Sequence, residues 1–169
     1  GFDAIGLALD LWNELTVEDI IAHKTGLPRL PDHVGSWEDD VNDPYQQYDM
    51  SRLANDIKGL EPIPGRYSYS HLGYAAFHWV FEQVGGLEEF SKKTLSKQNL
   101  GGGMWWRCPD SLVTRGHGFD GLPARLWHTN ALMPAMGLKA TAWDVLLFLN
   151  IQSHLLENAF TQLTTIKKK

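Results

Sequence analysis

The sequence predicts a mainly α-helical domain with about five or six helices and one small β-hairpin near residues 104–119. Apolar residues recur at helical spacing in several stretches, above all in residues 72–84. These stretches are bounded by residues that begin or end helices, such as Asp49 and Gly59. The apolar face predicted for residues 72–84 consists of Leu72, Ala75, Ala76, Trp79, Val80 and the Gln83/Val84 pair.

The first helix is predicted to begin after Thr16 and to end at Thr25-Gly26. Thr16 is a typical N-cap, and Asp19 stands at the third helical position, where its carboxylate completes a capping box. Pro28 prevents the helix from continuing. Residues 29–48, which contain two prolines, one glycine and many acidic or amide residues, are expected to form a surface loop insertion. We favour two anchoring tyrosines in this loop, Tyr45 and Tyr48, over the alternative that they reach a ligand.

Asp49 is expected to cap a helix that ends at Gly59, and residues 87–97 predict another helix. The triple glycine at 101–103 marks a flexible hinge or a close approach between backbones. Strands are predicted at 104–107 and 112–117. Thr141 with Asp144 predicts a capped helix whose apolar run Val145–Leu149 lies in the core, and a last helix follows near 158–166.

Composition limits the kinds of partner. The 169 residues are 43% hydrophobic, which supports one domain with a packed core. The net charge is −5 and no basic stripe is present, which argues against nucleic-acid binding. No apolar run approaches the roughly 18 residues of a membrane span. The sequence contains no recognised cofactor or metal-binding motif. Its single cysteine, Cys108, is interpreted as a packing thiol rather than a nucleophile.

Residues 64–86 are the centre of the sequence. Pro64-Gly65 predicts a turn, and five hydrogen-bonding side chains follow it at positions 67–71. Ser70 can cap the helix that begins there, and Gly85-Gly86 can end it in a left-handed conformation. On that helix His78 is expected to be a core histidine with satisfied hydrogen bonds. Polar groups therefore gather at the start of a buried helix, where they can be held rigidly.

The stretch PGRYSYSHLGY at 64–74 resembles a motif of the penicillin-recognising serine enzymes. The most similar branch is the class C β-lactamase group, with related esterases, transesterases and D-amino-acid peptidases. LTVEDIIAHKTGLP at 15–28 is similar to the family pattern LT-x-x-DLL-x-H-x-SGLP, and MGLKATAWDVLLFL at 136–149 is similar to GGLxSTAxDLxxFL. The three matches occur in the order found in the family, and they imply the helical subdomain of a β-lactamase/transpeptidase-like fold.

The resemblance assigns roles to two residues. Tyr69 takes the position of a tyrosine that moves protons to and from a nucleophilic serine. His71 stands where asparagine is usual, and the resemblance implies that it contacts substrate, since histidine also donates and accepts hydrogen bonds. The alternative is a structural hydrogen bond in the first turn of its helix. A phenol ordinarily ionises near pH 10 and needs a nearby cation to act as a base at neutral pH. In the family that cation is a lysine next to the serine.

The family's Ser-x-x-Lys motif does not occur in the printed sequence, because none of its eight serines has lysine three positions later. Lys24-Thr25-Gly26 spells the family's later Lys-Thr-Gly motif, but it precedes the tyrosine motif and is predicted to end a helix. We interpret it as a coincidence. The expectation is therefore a single helical subdomain over residues 1–169, without the flanking central sheet.

The expected function is that of a piece of a serine-dependent acyl enzyme, inactive alone, whose complete form acts on β-lactam, ester or D-amino-acid peptide substrates. The partners expected are this small acyl substrate and, for the isolated chain, itself or the missing flanks. The alternative is a non-catalytic helical scaffold or ligand-binding module derived from the same family.

Overall fold

The computed structural model describes residues 14–34, 42–100 and 102–166, with side chains as far as residue 157. In this part of the chain, helices predominate and one small antiparallel sheet is present, which confirms the predicted fold class. The helices are α1 (Val17–Ile21), α2 (Met50–Lys58), α3 (His71–Ala75), α4 (Phe77–Glu82), α5 (Leu87–Ser96), α6 (Met133–Met136) and α7 (Ala142–Ile166). The strands are β1 (Met104–Trp105) and β2 (Lys139–Ala140), and two 3-10 turns cover Asp110–Leu112 and Asn130–Leu132.

Helix α1 begins as predicted and ends earlier than predicted. The Thr16 hydroxyl accepts from the Asp19 N–H at 3.1 Å, and the Asp19 carboxylate accepts from the Thr16 N–H at 3.0 Å. Hydrogen bonds from Thr16 lower the pKa of Asp19. The predicted end at Thr25-Gly26 is wrong, because His23 adopts a φ of 55° and turns the chain out of the helix. The residues that follow pair with a distant segment instead.

That pairing joins residues 23–29 to residues 63–72 through backbone hydrogen bonds. The Ile63 N–H donates to the Thr25 carbonyl at 2.8 Å, and the Gly26 N–H donates to the Arg66 carbonyl at 2.9 Å. Gly26 has a φ of 70°, and a Cβ atom there would lie 2.8 Å from the Ile63 Cβ. Only glycine allows the two backbones to approach this closely. We call these two stretches the paired segments.

The core lies beneath the paired segments. Helix α3 packs against α6 and the Asn130–Leu132 turn, and α2 packs against the same turn. Tyr48 is buried and donates to the Asp56 carboxylate at 2.6 Å, while burial raises its pKa. Tyr45 meets the Trp127 ring edge-on at 5.4 Å. Both tyrosines therefore anchor their loop, as favoured above. The buried apolar side chains include Leu15, Ile20, Leu27, Leu53, Ile57, Leu72, Ala75, Phe77, Trp79 and Leu132.

The predicted central helix is divided at Ala76 into α3 and α4. The buried face includes Leu72, Ala75, Ala76 and Trp79 as predicted, whereas Val84 is exposed. The left-handed stop is present, with φ of 92° at Gly85 and 94° at Gly86. The Gly86 N–H donates to the Phe81 carbonyl at 2.7 Å, as in a Schellman motif.

The small sheet has a different second strand from the one predicted. Met104 pairs with Ala140 and Trp105 pairs with Lys139, so the predicted strand at 112–117 is wrong. Pro109 has no N–H to continue a ladder, and a 3-10 turn follows it. The Gly103 carbonyl accepts from the Thr141 N–H at 2.8 Å, and a Cβ atom on Gly103 would overlap Asp144. Gly103 is therefore a site of close approach.

Helix α7 is one helix of 25 residues, where two were predicted. The sequence between its ends contains neither glycine nor proline, so nothing interrupts the backbone hydrogen bonds. The predicted cap at Thr141 is confirmed, since the Asp144 N–H donates to the Thr141 hydroxyl at 3.1 Å. The second bond of a capping box differs, because the Asp144 carboxylate accepts from the Thr141 hydroxyl, whereas the Thr141 N–H donates to the Gly103 carbonyl.

The apolar run Val145–Leu149 is not in the core of this chain, contrary to the prediction. All of its side chains except the half-buried Leu147 belong to a set of exposed apolar residues that we call the α7 apolar surface. A helix that is apolar on most sides is normally covered by neighbouring structure. Within the described residues, no helix combines the length and hydrophobicity needed to cross a bilayer. The α7 apolar surface consists of Trp143, Val145, Leu146, Phe148, Leu149, Leu155 and Leu156.

Candidate functional site

The structure brings the two predicted site residues together. Tyr69 lies in the extended stretch before α3, and His71 is the first residue of that helix. Their ring centroids are 5.3 Å apart and the rings meet edge-on. The Tyr69 side chain is 52% exposed. A phenol that is open to solvent on one side and lined by polar rings on the other can exchange a proton with an incoming group.

Ser70 fixes the backbone between these residues. Its side chain is buried, donates to the Pro28 carbonyl at 2.6 Å and accepts from the Gly73 N–H at 2.8 Å. Ser70 therefore caps α3, as predicted, and also joins that helix to the other paired segment. The Ser68 hydroxyl makes a second hydrogen bond to the same segment, donating to the Leu27 carbonyl at 2.7 Å. Tyr69 is thus mounted between two serines that both bind the same distant segment.

Two residues that the sequence did not single out complete the surroundings of Tyr69. The His23 ring lies 4.5 Å from the Tyr69 ring, and its Nδ1 accepts from the Ser70 N–H at 3.2 Å. The Arg29 guanidinium carbon lies over the Tyr69 ring, 5.9 Å from its centroid. His23 had a signal in the sequence, because it is the histidine of the LT-x-x-DLL-x-H-x-SGLP pattern. Arg29 had none.

Lys24-Thr25-Gly26 belongs to the paired segments and does not end a helix, which corrects that part of the prediction. Thr25 is buried, and its hydroxyl accepts from the Leu27 N–H at 3.3 Å. A threonine enclosed in this way cannot bind a substrate directly. Its position supports the interpretation of this triplet as a coincidence.

His71 and His78 are both held toward their neutral forms. Burial lowers the pKa of His71, and the charges of Arg29 and His23 lower it further. Burial also lowers the pKa of His78, although the carbonyls of Ala131 and Asn130 oppose part of the shift. Among the described residues, none hydrogen-bonds His71 Nδ1 or His78 Nε2. The prediction that His78 has satisfied hydrogen bonds is therefore wrong for Nε2.

These shifts predict that acid destabilises the chain. The two histidines bind protons less readily when folded, so their contribution is complete above the usual imidazole pKa of 6.5. It is lost as the pH falls from there through the lowered values. In urea titrations between pH 8 and pH 5, the variant carrying His71→Asn and His78→Gln should lose less stability than the parent. Equal slopes for the variant and the parent would contradict this assignment.

A cleft of about 600 Å³ lies among other residues, including His78, Trp106, Cys108 and His128. The Cys108 thiol contacts the Pro109 carbonyl at 3.6 Å. His128 Nδ1 lies 2.5 Å from the buried Asp43 carboxylate, which also accepts from the His128 N–H at 2.8 Å. This pair ties residue 43 to the stretch before α6. Within the described ranges, no group of three or more His, Cys, Asp or Glu side chains is placed to hold a metal ion.

Comparison with known proteins identifies the fold around Tyr69. The family model described as "Beta-lactamase" matches residues 8–168. Among curated proteins, none matches the chain. Solved structures with similar folds include a class C β-lactamase from Rhodobacter sphaeroides, with a TM-score of 0.64 and 23% identity over 87% of this chain and 41% of that one. A β-lactamase from Sulfitobacter sp. EE-36 has a TM-score of 0.61 and 23% identity over 88% of this chain and 40% of that one.

A third similar structure is the β-lactamase/D-alanine carboxypeptidase from Pseudomonas syringae. Its TM-score is 0.60, with 16% identity over 80% of this chain and 37% of that one. The chain thus spans about two fifths of the length of these structures. The match of the family model over most of the chain, together with this shared fold, shows that the chain belongs to the β-lactamase family.

Proposed function

We propose that this chain is the helical part of a serine-dependent acyl enzyme, in which Tyr69 transfers protons and His71 contacts the substrate. The observation that carries the proposal is the placement of the Tyr69 phenol, half exposed and surrounded by His23, His71 and Arg29. The substrate class is β-lactams, esters or D-amino-acid peptides, in keeping with the family. The sequence and the fold support the class of reaction rather than one substrate.

The chemistry needs two groups from outside the printed sequence: a nucleophilic serine, and a cation that lets the Tyr69 phenol lose its proton at neutral pH, which in the family is a lysine next to the serine. A serine hydroxyl attacks the acyl carbonyl, its proton passes to the ionised Tyr69 oxygen, and the leaving group takes that proton from the phenol as the carbonyl–heteroatom bond breaks, which restores the phenolate. Water then attacks the acyl-serine by the same relay in reverse. Arg29 places a permanent positive charge beside this relay, where it can attract an anionic group of the substrate. His71, mostly neutral, can donate or accept a hydrogen bond there.

The complete protein tests this proposal by covalent labelling. An activated ester, a β-lactam or a fluorophosphonate should attach to a single serine, and Tyr69→Phe should slow attachment by about two to four orders of magnitude, as expected for loss of a proton-transfer group. Tyr67→Phe is the matched control, because Tyr67 is exposed on the same turn. A complete protein that resists all three reagents would remove the proposal.

We expect the 169-residue chain alone to be inactive, because acyl transfer requires a nucleophile and a base that activates it. Incubated with a chromogenic ester and a β-lactam, it should show no turnover above buffer. Turnover that disappears in Tyr69→Phe would mean that a nucleophile lies within these residues.

The second candidate function, a non-catalytic helical module, is favoured by the absence of Ser-x-x-Lys in the printed sequence. Such a motif in the preceding part of the gene would reject it.

We further propose that segments outside the printed chain cover the α7 apolar surface in the complete protein. The support is the length ratio to the similar structures and the exposure of Trp143, Leu146 and Leu149. The isolated chain would then bury this surface by self-association. Sedimentation velocity should show concentration-dependent oligomers, which Leu146→Glu reduces. A chain that remains monomeric at high concentration would contradict self-association.

A further inference from the structure

His23 is fixed in an uncommon backbone conformation next to the site. Its φ of 55° is in the left-handed region, which residues other than glycine seldom adopt. Two hydrogen bonds hold this conformation. The His23 carbonyl accepts from the Ser68 N–H at 2.8 Å, and the His23 ring Nδ1 accepts from the Ser70 N–H. Both partners flank Tyr69 in the sequence. The backbone at Tyr69 is therefore attached to His23 on each side.

The His23 ring also supports the phenol directly. It lies 4.5 Å from the Tyr69 ring and 4.9 Å from the Tyr74 ring. Tyr74 is anchored, because its hydroxyl donates to the Ile21 carbonyl at 3.1 Å. Among the described residues, none hydrogen-bonds the Tyr69 hydroxyl. The Tyr69 side chain is therefore held by ring contacts, and His23 is the ring between it and an anchored neighbour.

We propose that His23 is a positioning residue for Tyr69, acting through its ring contact and through the Ser70 N–H bond to Nδ1; this inference rests on the role proposed for Tyr69. A histidine nitrogen accepts a hydrogen bond only when it carries no proton. Neutral His23 with its proton on Nε2 therefore holds Ser70. Protonation of Nδ1 would place its N–H opposite the Ser70 N–H. Two donors cannot bond to each other, so the hydrogen bond between Ser70 and His23 breaks and Tyr69 loses that support.

Other titratable or charged groups surround this ring. Tyr67, Tyr69 and Tyr74 face it, and the charges of His71 and His23 influence each other. Arg29 lies over the Tyr69 ring and keeps its charge throughout. His71, whose pKa is lowered by burial, is a second imidazole that can gain a proton as the pH falls, so its effect on Tyr69 must be measured separately. His71→Asn removes that titration and retains a polar side chain.

The test is an NMR titration of the 169-residue chain from pH 8 to pH 5, the range in which histidines ordinarily change charge. It is carried out on the parent and on His71→Asn. Two signals are followed beside the His23 ring: solvent exchange of the Ser70 amide, and the Hα–Hβ couplings of Tyr69. These couplings report whether its χ1 angle occupies one rotamer or several. In both proteins, protonation of His23 should lower the protection of the Ser70 amide, taken relative to the intrinsic exchange rate at each pH, and should average the Tyr69 couplings with the same midpoint.

Two variants separate the bond from the ring. His23→Asn tolerates a positive φ and offers an amide oxygen close to the position of Nδ1, but it has no ring and does not titrate. It should keep the Ser70 amide protected at every pH while the Tyr69 couplings are averaged. His23→Ala should lose both.

If Tyr69 keeps one rotamer in His23→Asn and throughout the titration of His23, then His23 only fastens the backbone and the proposal is wrong. The readout does not depend on acyl transfer. A complete protein that fails to label would therefore remove the function of Tyr69 without changing this result.

Discussion

Replacing Gly26 with alanine should lower the free energy of unfolding by about 3 kcal/mol. A φ of 70° costs an L-residue about 1 kcal/mol or more. The added Cβ would also lie 2.8 Å from the Ile63 Cβ and 3.0 Å from the Ile63 nitrogen and oxygen. Backbone atoms cannot rotate away, so the paired segments must separate, and overpacking of this kind costs about 1–3 kcal/mol. Urea denaturation of both proteins measures the difference.

Gly65→Ala is the matched control for this prediction. Gly65 also has a positive φ, 81°, but nothing lies within 4 Å of a Cβ placed there. Its replacement should cost only the backbone preference, about 1 kcal/mol. Equal losses for the two variants would mean that the paired segments are looser than their hydrogen bonds indicate. A much larger loss for Gly26→Ala confirms the close approach.

Replacing Ser70 with alanine should cost about 3 kcal/mol and should also disturb the candidate site. The variant leaves the buried Gly73 N–H without its partner, and it also removes the part-buried hydrogen bond to the Pro28 carbonyl. Each unsatisfied buried group costs about 1–3 kcal/mol, and loss of an N-cap alone costs about 1 kcal/mol. Denaturation measures the stability, and the Tyr69 NMR signals report the change at the site.

Ser68→Ala is the control on the other side of Tyr69. Ser68 makes one side-chain hydrogen bond, to the Leu27 carbonyl, and is only half-buried. Ser68→Ala removes this one hydrogen bond and no helix cap, so the expected loss is about 1 kcal/mol. A Ser70→Ala variant no less stable than Ser68→Ala would show that the Ser70 side chain does not join α3 to residue 28.

The sequence predicted correctly the features that depend on residues close together in the chain. The caps at Thr16, Asp49, Ser70 and Thr141 each act on a backbone N–H three residues later, and all four are present. The end of α1 and the partner of β1 were mispredicted for the opposite reason. His23 leaves the helix because its segment pairs with residues near 63–72, and β1 pairs with a strand 35 residues later. The pattern of apolar residues in either stretch carries no information about a pairing segment so far along the chain.

The site shows the same division. Tyr69 and His71 could be named because they are two positions apart in one recognisable motif. Arg29 reaches the Tyr69 ring only after the chain has returned across a gap of 40 residues. His23 could have been suspected from its family pattern, but its contact with Ser70 spans 47 positions. The sequence therefore names the group proposed to carry the chemistry and leaves open what holds that group in place.

The hydrogen bonds between the paired segments have a consequence for how the chain folds. Three of them close loops of 41, 42 and 47 residues. Closing a loop costs chain entropy before any contact compensates for it, and pairing of distant segments is slow for that reason. Helix α1 can form early because its capping box is local, whereas the cluster around Tyr69 must wait for this closure. During synthesis, the cluster can appear only after residue 71 has left the ribosome and met a segment made long before it.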